Sequence, residues 1–428
     1  MSTYSVVNLG RAAFVVGALA ATPAAAVDLE FYFPVAVGGA AADTIKSLTA
    51  DYASGHKDVH IKAIYAGSYG DASAKAITAA RGGNAPQLSV LLSTDMYTLI
   101  DNDLIVPFDK YVSKSEQKNW IGGFYPSFMS NSQADGKTWG IPFQRSTPVM
   151  YWNKAAFAAA GLDPNHAPAN WDELVSISKA LTKKDANGNV SQWGVRIPSA
   201  GFPYWLFQGL AIPNGATLAS ADGKTTYFND PKVVEAVQFQ YDLSHKYGVM
   251  APGSIDWGAT PKAFFEGKTA IMWTSTGNLT NVVKNAPFDF GVAMLPAKSS
   301  RGAPTGGGNF YLFKDSSDAQ KAAAVKFVEW ITAPAQAARW SIATGYVAPR
   351  PDDWNTPALK DYVKKVPAAL VARDQLNFAK AELSTYQNRK VTKIFNDALA
   401  SVLSGQVDAK TAMDAAQAKA DAVLKPYR

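Results

Sequence analysis

Cysteine is absent from the 428-residue chain. That excludes a disulfide framework, thiol nucleophiles and thiolate metal sites, and it leaves no cysteine for lipid attachment behind a leader. Histidine is scarce, with only His56, His60, His166 and His245 present. His56 and His60 are four apart, but Lys57-Asp58-Val59 between them reads as a loop entering a strand. The two rings therefore do not share a helix face, and no H-E-x-x-H occurs. With so few histidines and no G-x-S-x-G elbow, a Ser-His-Asp hydrolase is unsupported. A phosphate-cradling P-loop is missing as well. Gly306-Gly-Gly308 lacks the G-x-G-x-x-G spacing before a helix and reads as a close backbone approach or hinge. No metal and no cofactor are expected. A glycosidase needs only two carboxylates, and spacing among 35 acidic residues does not exclude one, so a secreted glycoside hydrolase stays open as a rival reading.

Long apolar runs are also lacking. The one candidate is Ala12 to Ala21, about half the roughly 20 residues that a membrane span needs. Arg11 precedes it and Ala24-Ala25-Ala26 follows, a small-x-small pattern. Residues 1–26 therefore read as a cleaved signal peptide, with a periplasmic, soluble, monomeric mature protein beginning at Val27. Charge of one sign never accumulates: 41 Lys and Arg against 35 Asp and Glu give a net +6, without runs of five or six, which argues against a nucleic-acid groove.

The sequence does hold a regular alternation of strand and helix patterns. Leu29-Glu-Phe-Tyr-Phe33, Val59 to Ile64 and Leu88 to Leu92 read as strands, with helices over Ala40–Tyr52 and Ala72–Arg81 between them. Such β-α-β-α-β order predicts a parallel sheet with helices on both faces. Ligands of such sheets sit beyond the carboxyl ends of the strands, here the loops 34–39, 66–70 and 93–95. Farther on, Asn170 and Glu173 form a capping box, Asp230-Pro231 opens a long helix, and Asp318 is placed to cap a helix over Ala319–Ile331. Phe264–Trp273 reads as strand, and helices over Val391–Leu403 and Ala409–Leu424 close the chain. The length suits two lobes of roughly 200 residues each.

Several segments read as loops combine aromatics with glycine and small hydroxyl residues: Gly67-Ser-Tyr69, Arg145-Ser-Thr147, Phe202-Pro-Tyr-Trp205, Thr274-Ser-Thr-Gly-Asn278 and Gly345-Tyr346. A polyol or sugar offers hydroxyls at its edge and C–H bonds on its faces, so its site needs polar partners at the rim and an aromatic plate beneath. Tyr69 and Trp205 are candidate contacts on this ground. Ser275, at a strand end before a helix, can present a hydroxyl and a backbone amide to an oxyanion.

Phe264-Phe-Glu-Gly-Lys-Thr-Ala-Ile-Met-Trp273, Phe290-Gly-Val-Ala-Met-Leu-Pro296, Lys326-Phe-Val-Glu-Trp-Ile331 and Thr344-Gly-Tyr-Val-Ala-Pro349 together resemble extracellular solute-binding protein family 1, over nearly all of the mature chain. Within it, Gly67-Ser-Tyr69, Gly83-Asn-Ala-Pro86 and Phe143-Gln-Arg-Ser-Thr-Pro-Val-Met-Tyr-Trp-Asn-Lys154 are similar to the sn-glycerol-3-phosphate-binding branch. The resemblance implies an α/β, type II-like periplasmic binding protein fold with a hinge and an interlobe cleft. The lobes would be 27–147 plus 309–345, and 148–308 plus 346–428. It also implies an ABC permease as partner and no covalent chemistry. Carried over by position, the ligand residues would be Tyr69, Ser146, Ser275, Gly308 and Tyr346, with Trp205 in an aromatic wall. Where the branch has a glutamate for ligand hydroxyls this chain has Ser93, or Asp95 if the loop shifts. Where it has a late-helix arginine this chain has Thr392. Glycerol 3-phosphate, a related phosphodiester and a neutral sugar all remain compatible with this pattern.

Overall fold

The computed structural model describes residues 1–3, 26–37 and 40–428; the signal-peptide reading falls almost wholly outside the described residues. Two sheets organise the chain. In the first, Val27–Phe33 lies between Val59–Tyr65 and Leu88–Leu92, parallel to both. Leu29, Phe31 and Phe33 alternate inward along the central strand. They meet Ile45, Leu48 and Tyr52 of the helix Ala41–Gly55, and Phe327 of the helix Asp318–Ile331. Ala72, Ala76 and Ala80 of the helix Tyr69–Arg81 cover the opposite face, against Leu91 and Tyr311. The predicted alternation and both covered faces are thus present, because every crossover buries a periodic apolar stripe.

The strand Gly306–Phe313 returns antiparallel to complete this sheet, pairing with Leu88–Leu92 and with Gly140–Ser146. Gly306, Gly307 and Gly308 are thus strand residues of the first sheet. A Cβ on Gly306 would stand 2.5 Å from the Trp205 ring, one on Gly307 1.8 Å from the Gln144 carbonyl oxygen, and one on Gly308 2.9 Å from the Tyr69 ring. Three side chains are missing there so that two aromatics and a neighbouring strand can close on the backbone.

The second sheet runs in the order Phe290–Ala293, Pro148–Asn153, Thr269–Ser275, Val190–Arg196, Lys183–Lys184. Phe264 and Phe265 end a helix, Thr260–Phe265, rather than open the strand; Gly267, at φ +68°, makes the turn between them. Phe202 to Trp205 is not a loop. Pro203 occupies the first turn of the helix Pro203–Ala211, a position where its missing N–H costs nothing. Ser317, not Asp318, caps its helix and accepts from the Gln320 amide.

A single residue, Thr147, separates the first-sheet strand Gly140–Ser146 from the second-sheet strand Pro148–Asn153. Its groups are all engaged: the hydroxyl donates to the Pro304 carbonyl at 3.0 Å and accepts from the Gln375 amide at 2.8 Å, and its carbonyl accepts from the Thr276 N–H at 3.1 Å. Beside it Ala303–Pro304 runs parallel to Ala379–Lys380. The closing helices Asn388–Leu403 and Ala409–Leu424 pack with the helix Pro231–His245.

Candidate ligand-binding site

A narrow cleft opens between residues of the two sheets. It lies, as expected for an open α/β sheet, beyond the carboxyl ends of the first strands, where Ala36, Val37, Tyr69 and Leu92 reach it. Tyr69 is set by its helix start: Ser68 and Asp71 cap each other's amides, and Gly67 at φ +96° turns the chain into the cap. The Tyr69 hydroxyl donates to Gln144 Oε1 at 2.8 Å, and burial raises its phenol well above the ordinary range. Tyr346 follows Gly345, the left-handed residue that ends the helix Pro334–Thr344. Its ring stacks on Trp340 with centroids 5.7 Å apart, and burial moves its phenol up to about 12.

Ser146 and Ser275 end one strand of each sheet and line the same space. Ser275 Oγ accepts from the Gly277 N–H at 3.0 Å, which leaves its own proton to donate. Trp205 is held by its Nε1, which donates to the Thr305 carbonyl at 2.8 Å, and it meets Trp257 edge-on at 5.9 Å. Trp257 in turn packs edge-on against Phe202, and its Nε1 donates to the Ala36 carbonyl at 3.3 Å. That bond joins a residue after the second sheet's first helices to the loop after the first strand.

Five of the nine positions singled out in the sequence, Tyr69, Ser146, Trp205, Ser275 and Tyr346, therefore meet at one cavity. Four do not line it. Gly307, rather than Gly308, faces the space, because the strand twists through a left-handed residue there. Ser93 and Asp95 lie behind Leu92, both buried. Thr392 sits in the first turns of its helix with its hydroxyl donating back to the Asn388 carbonyl at 2.8 Å, away from the lining.

The carboxylate of the site is Glu382, which no local pattern announced. Its main chain is clamped by Asn131, which accepts from the Glu382 N–H at 2.8 Å and donates to its carbonyl at 3.0 Å. Oε1 accepts from the Tyr204 hydroxyl at 2.8 Å and Oε2 from Ser93 Oγ at 3.4 Å. Burial pushes its carboxyl up to about 7, opposed by the Tyr204 hydrogen bond and then by the Arg145 guanidinium. Glu382 thus reaches Ser93 from a distant segment of the chain. Asp95, likewise buried, is raised to about 6 by desolvation, with Arg389 acting against the rise. Arg145 is completely buried: Nη1 donates to Asn309 Oδ1 at 3.1 Å, the group lies 5.0 Å from the Phe128 ring centroid, and Nε and Nη2 have no protein partner.

Two α/β sheets enclosing a small cavity of hydroxyls, aromatics and one acid define a two-lobe binding protein of the periplasmic type, and comparison with known proteins agrees. The chain belongs to the bacterial extracellular solute-binding proteins, whose family model matches residues 47–368. Among curated proteins, the sn-glycerol-3-phosphate-binding periplasmic protein UgpB of Pectobacterium atrosepticum is 28% identical over 420 residues, covering 94% of this chain and 92% of that protein. UgpB of Shigella dysenteriae is 26% identical over 360 residues, 81% of each. Among solved structures, UgpB from Mycobacterium tuberculosis in complex with glycerophosphocholine shares the fold, with a TM-score of 0.80 at 22% identity over 94% of this chain and 99% of that one. So does the cyclic α-maltosyl-1,6-maltose binding protein from Arthrobacter globiformis, at 0.79 and 24%, over 94% of this chain and 100% of that one. These relatives are binding proteins, not enzymes. Among the described residues no helix is long and apolar enough to cross a membrane.

Proposed function

We propose that this protein is the periplasmic binding component of an ABC importer and captures a small glycerophosphoryl ester, of the glycerol 3-phosphate or glycerophosphodiester type. The observation that carries the reading is the cavity's composition. Ser146, Ser275 and Tyr346 supply hydroxyl donors for phosphoryl oxygens, and Trp205, Trp257 and Phe202 supply apolar faces. Among the described lining residues there is no Lys or Arg, so a phosphodiester, with one negative charge, suits the site better than a dianionic monoester. The kinship with sn-glycerol-3-phosphate-binding proteins supports the same class.

Capture proceeds by closure of two lobes, 27–147 with 306–345 and 148–305 with 346–428, around the solute, which favours the closed state by touching both. The closed protein then docks on a membrane permease. The mature chain starts at Val27 after export, and mass analysis of secreted protein with Met1 still attached would overturn that start. A second reading, a neutral mono- or oligosaccharide, draws on Glu382 as an acceptor for sugar hydroxyls beside aromatic rings. Calorimetry with glycerophosphocholine, glycerophosphoglycerol, glycerol 3-phosphate and a panel of neutral sugars decides. Binding of the phosphodiesters alone or most tightly is expected; binding of sugars only would replace the first reading by the second.

A further inference from the structure

Glu382 is the one acid among the described lining residues, and that creates a conflict of charge. A phosphodiester enclosed with an ionised carboxylate, and with no Lys or Arg among the described lining residues, meets repulsion in a dry space. Two things relieve it. The carboxyl can hold its proton, or the solute can bring its own cation. A quaternary ammonium does the second well, because it is attracted both to a carboxylate and to aromatic faces, and Trp205, Trp257 and Phe202 share the cavity with Glu382.

We propose that Glu382 selects phosphodiesters that carry a cationic head, and that seating this head drives the proton from the Glu382 carboxyl to the solvent, so that capture is coupled to proton release. This rests on the glycerophosphoryl reading above and names its specificity group. The surroundings of Glu382 are those of a carboxyl held between its two states. Tyr204 and Ser93 donate to its two oxygens, and Arg145 from the neighbouring strand favours the charge. Against it stand full burial and the Asp95 carboxyl behind Ser93. The phenols of Tyr69 and Tyr311 also face the group, and Asn131, which clamps its backbone, is neutral. A carboxyl lying at about 7 without solute is about half protonated at neutral pH, and a cation beside it favours the ionised form. The exchange balances: the protonated carboxyl and the solute give a carboxylate paired with the solute cation, plus one proton taken up by buffer.

The test is calorimetry of the whole mature protein at pH 7 in buffers of low and high ionisation heat. The probes are glycerophosphocholine and glycerophosphoglycerol, two phosphodiesters of equal phosphate charge of which only the first has a cation and neither titrates near pH 7. Glycerophosphocholine is expected to bind at least tenfold more tightly and to release about half a proton, falling towards none at pH 9. Glycerophosphoglycerol is expected to release none. Glu382→Gln should abolish release and the tenfold preference together. Tyr204→Phe removes a hydrogen bond that favours the ionised carboxylate, so it should enlarge the release at pH 8. Both variants are checked for a wild-type melting profile at acid pH, so a folding defect is separated from a binding one. Equal binding of the two probes, release without cation dependence, or release that survives Glu382→Gln overturns the proposal while leaving the ligand class standing. Failure of both probes to bind the wild type overturns both.

Discussion

Replacing Gly307 by alanine asks the first sheet to absorb one methyl group at the place where it borders the cavity. Two costs arise, and the structure separates them. Gly307 has φ +91°, a region that costs an L-residue about 1–2 kcal/mol. The new Cβ would also stand 1.8 Å from the Gln144 carbonyl oxygen and 2.9 Å from its carbon. Those are backbone atoms of the paired strand, which cannot rotate aside, so the ladder between Gly306–Phe313 and Gly140–Ser146 has to part locally. Loss of one or two ladder bonds and of the packing around them adds roughly 2–3 kcal/mol. The total expected is therefore about 3–5 kcal/mol. Gly161→Ala is the internal control, because Gly161 has a similar φ of +73° and nothing within 4 Å of its would-be Cβ. It should cost only the backbone part, about 1–2 kcal/mol. Urea unfolding of the two variants side by side measures the difference. Equal losses would refute the steric half of the reasoning, and a Gly307→Ala protein that binds solute with wild-type affinity would refute the view that this strand must lie flat against its neighbour to shape the site.

Trp205→Ala and Tyr346→Ala should each weaken solute binding by about 1–3 kcal/mol, through loss of an aromatic face or a phenol in a desolvated pocket; titration calorimetry checks this, and unchanged affinity in both would remove them from the site. The stability of the empty protein should fall as pH rises from about 4.5 to 7, since Glu382, raised to about 7 when folded, binds a proton more tightly folded than unfolded. Asp353, also buried and raised to about 8 with Oδ1 unpartnered, extends the same slope upward, and thermal melts of wild type and Glu382→Gln should converge below pH 4.5 and diverge above it. A bound solute should shrink the radius of gyration measured by small-angle scattering; identical profiles at saturation would refute closure.

The elements with a local cause were readable in advance. Phe31 and Phe33 alternate, Ala72 and Ala76 repeat at helical spacing, and Asn170 caps through Glu173, each within a few residues. Tyr69, Ser146, Ser275 and Tyr346 could be reached because short motifs around them resemble a known family. What escaped was set by distance along the chain. Glu382 meets Ser93 across 289 residues, in a segment with no periodicity, so the missing carboxylate beside Ser93 was sought at Asp95 instead. Thr392 is reached only as the position matching the branch's late-helix arginine, and its hydroxyl is spent on the Asn388 carbonyl of its own helix. The Phe202–Trp205 segment was read as loop because proline and aromatics cluster there, whereas Pro203 begins a helix buried along its whole length.

Thr147 has a mechanical consequence. Where two strands are joined by one residue, relative rotation of their sheets is absorbed by very few backbone dihedrals, and the strands act as lever arms on that pivot. A seven-residue strand such as Gly140–Ser146 is about 23 Å long, so a turn of about ten degrees at its end sweeps the far side chain through about 4 Å. The 3.3 Å bond between Trp257 and Ala36 would part in the opening half of the closure proposed above. Gripped by Pro304, Gln375 and Thr276, Thr147 would serve the closure proposed above as a geared bearing: a displacement too small to disturb its own hydrogen bonds by much would decide, at the rim, between a sealed chamber and an open door.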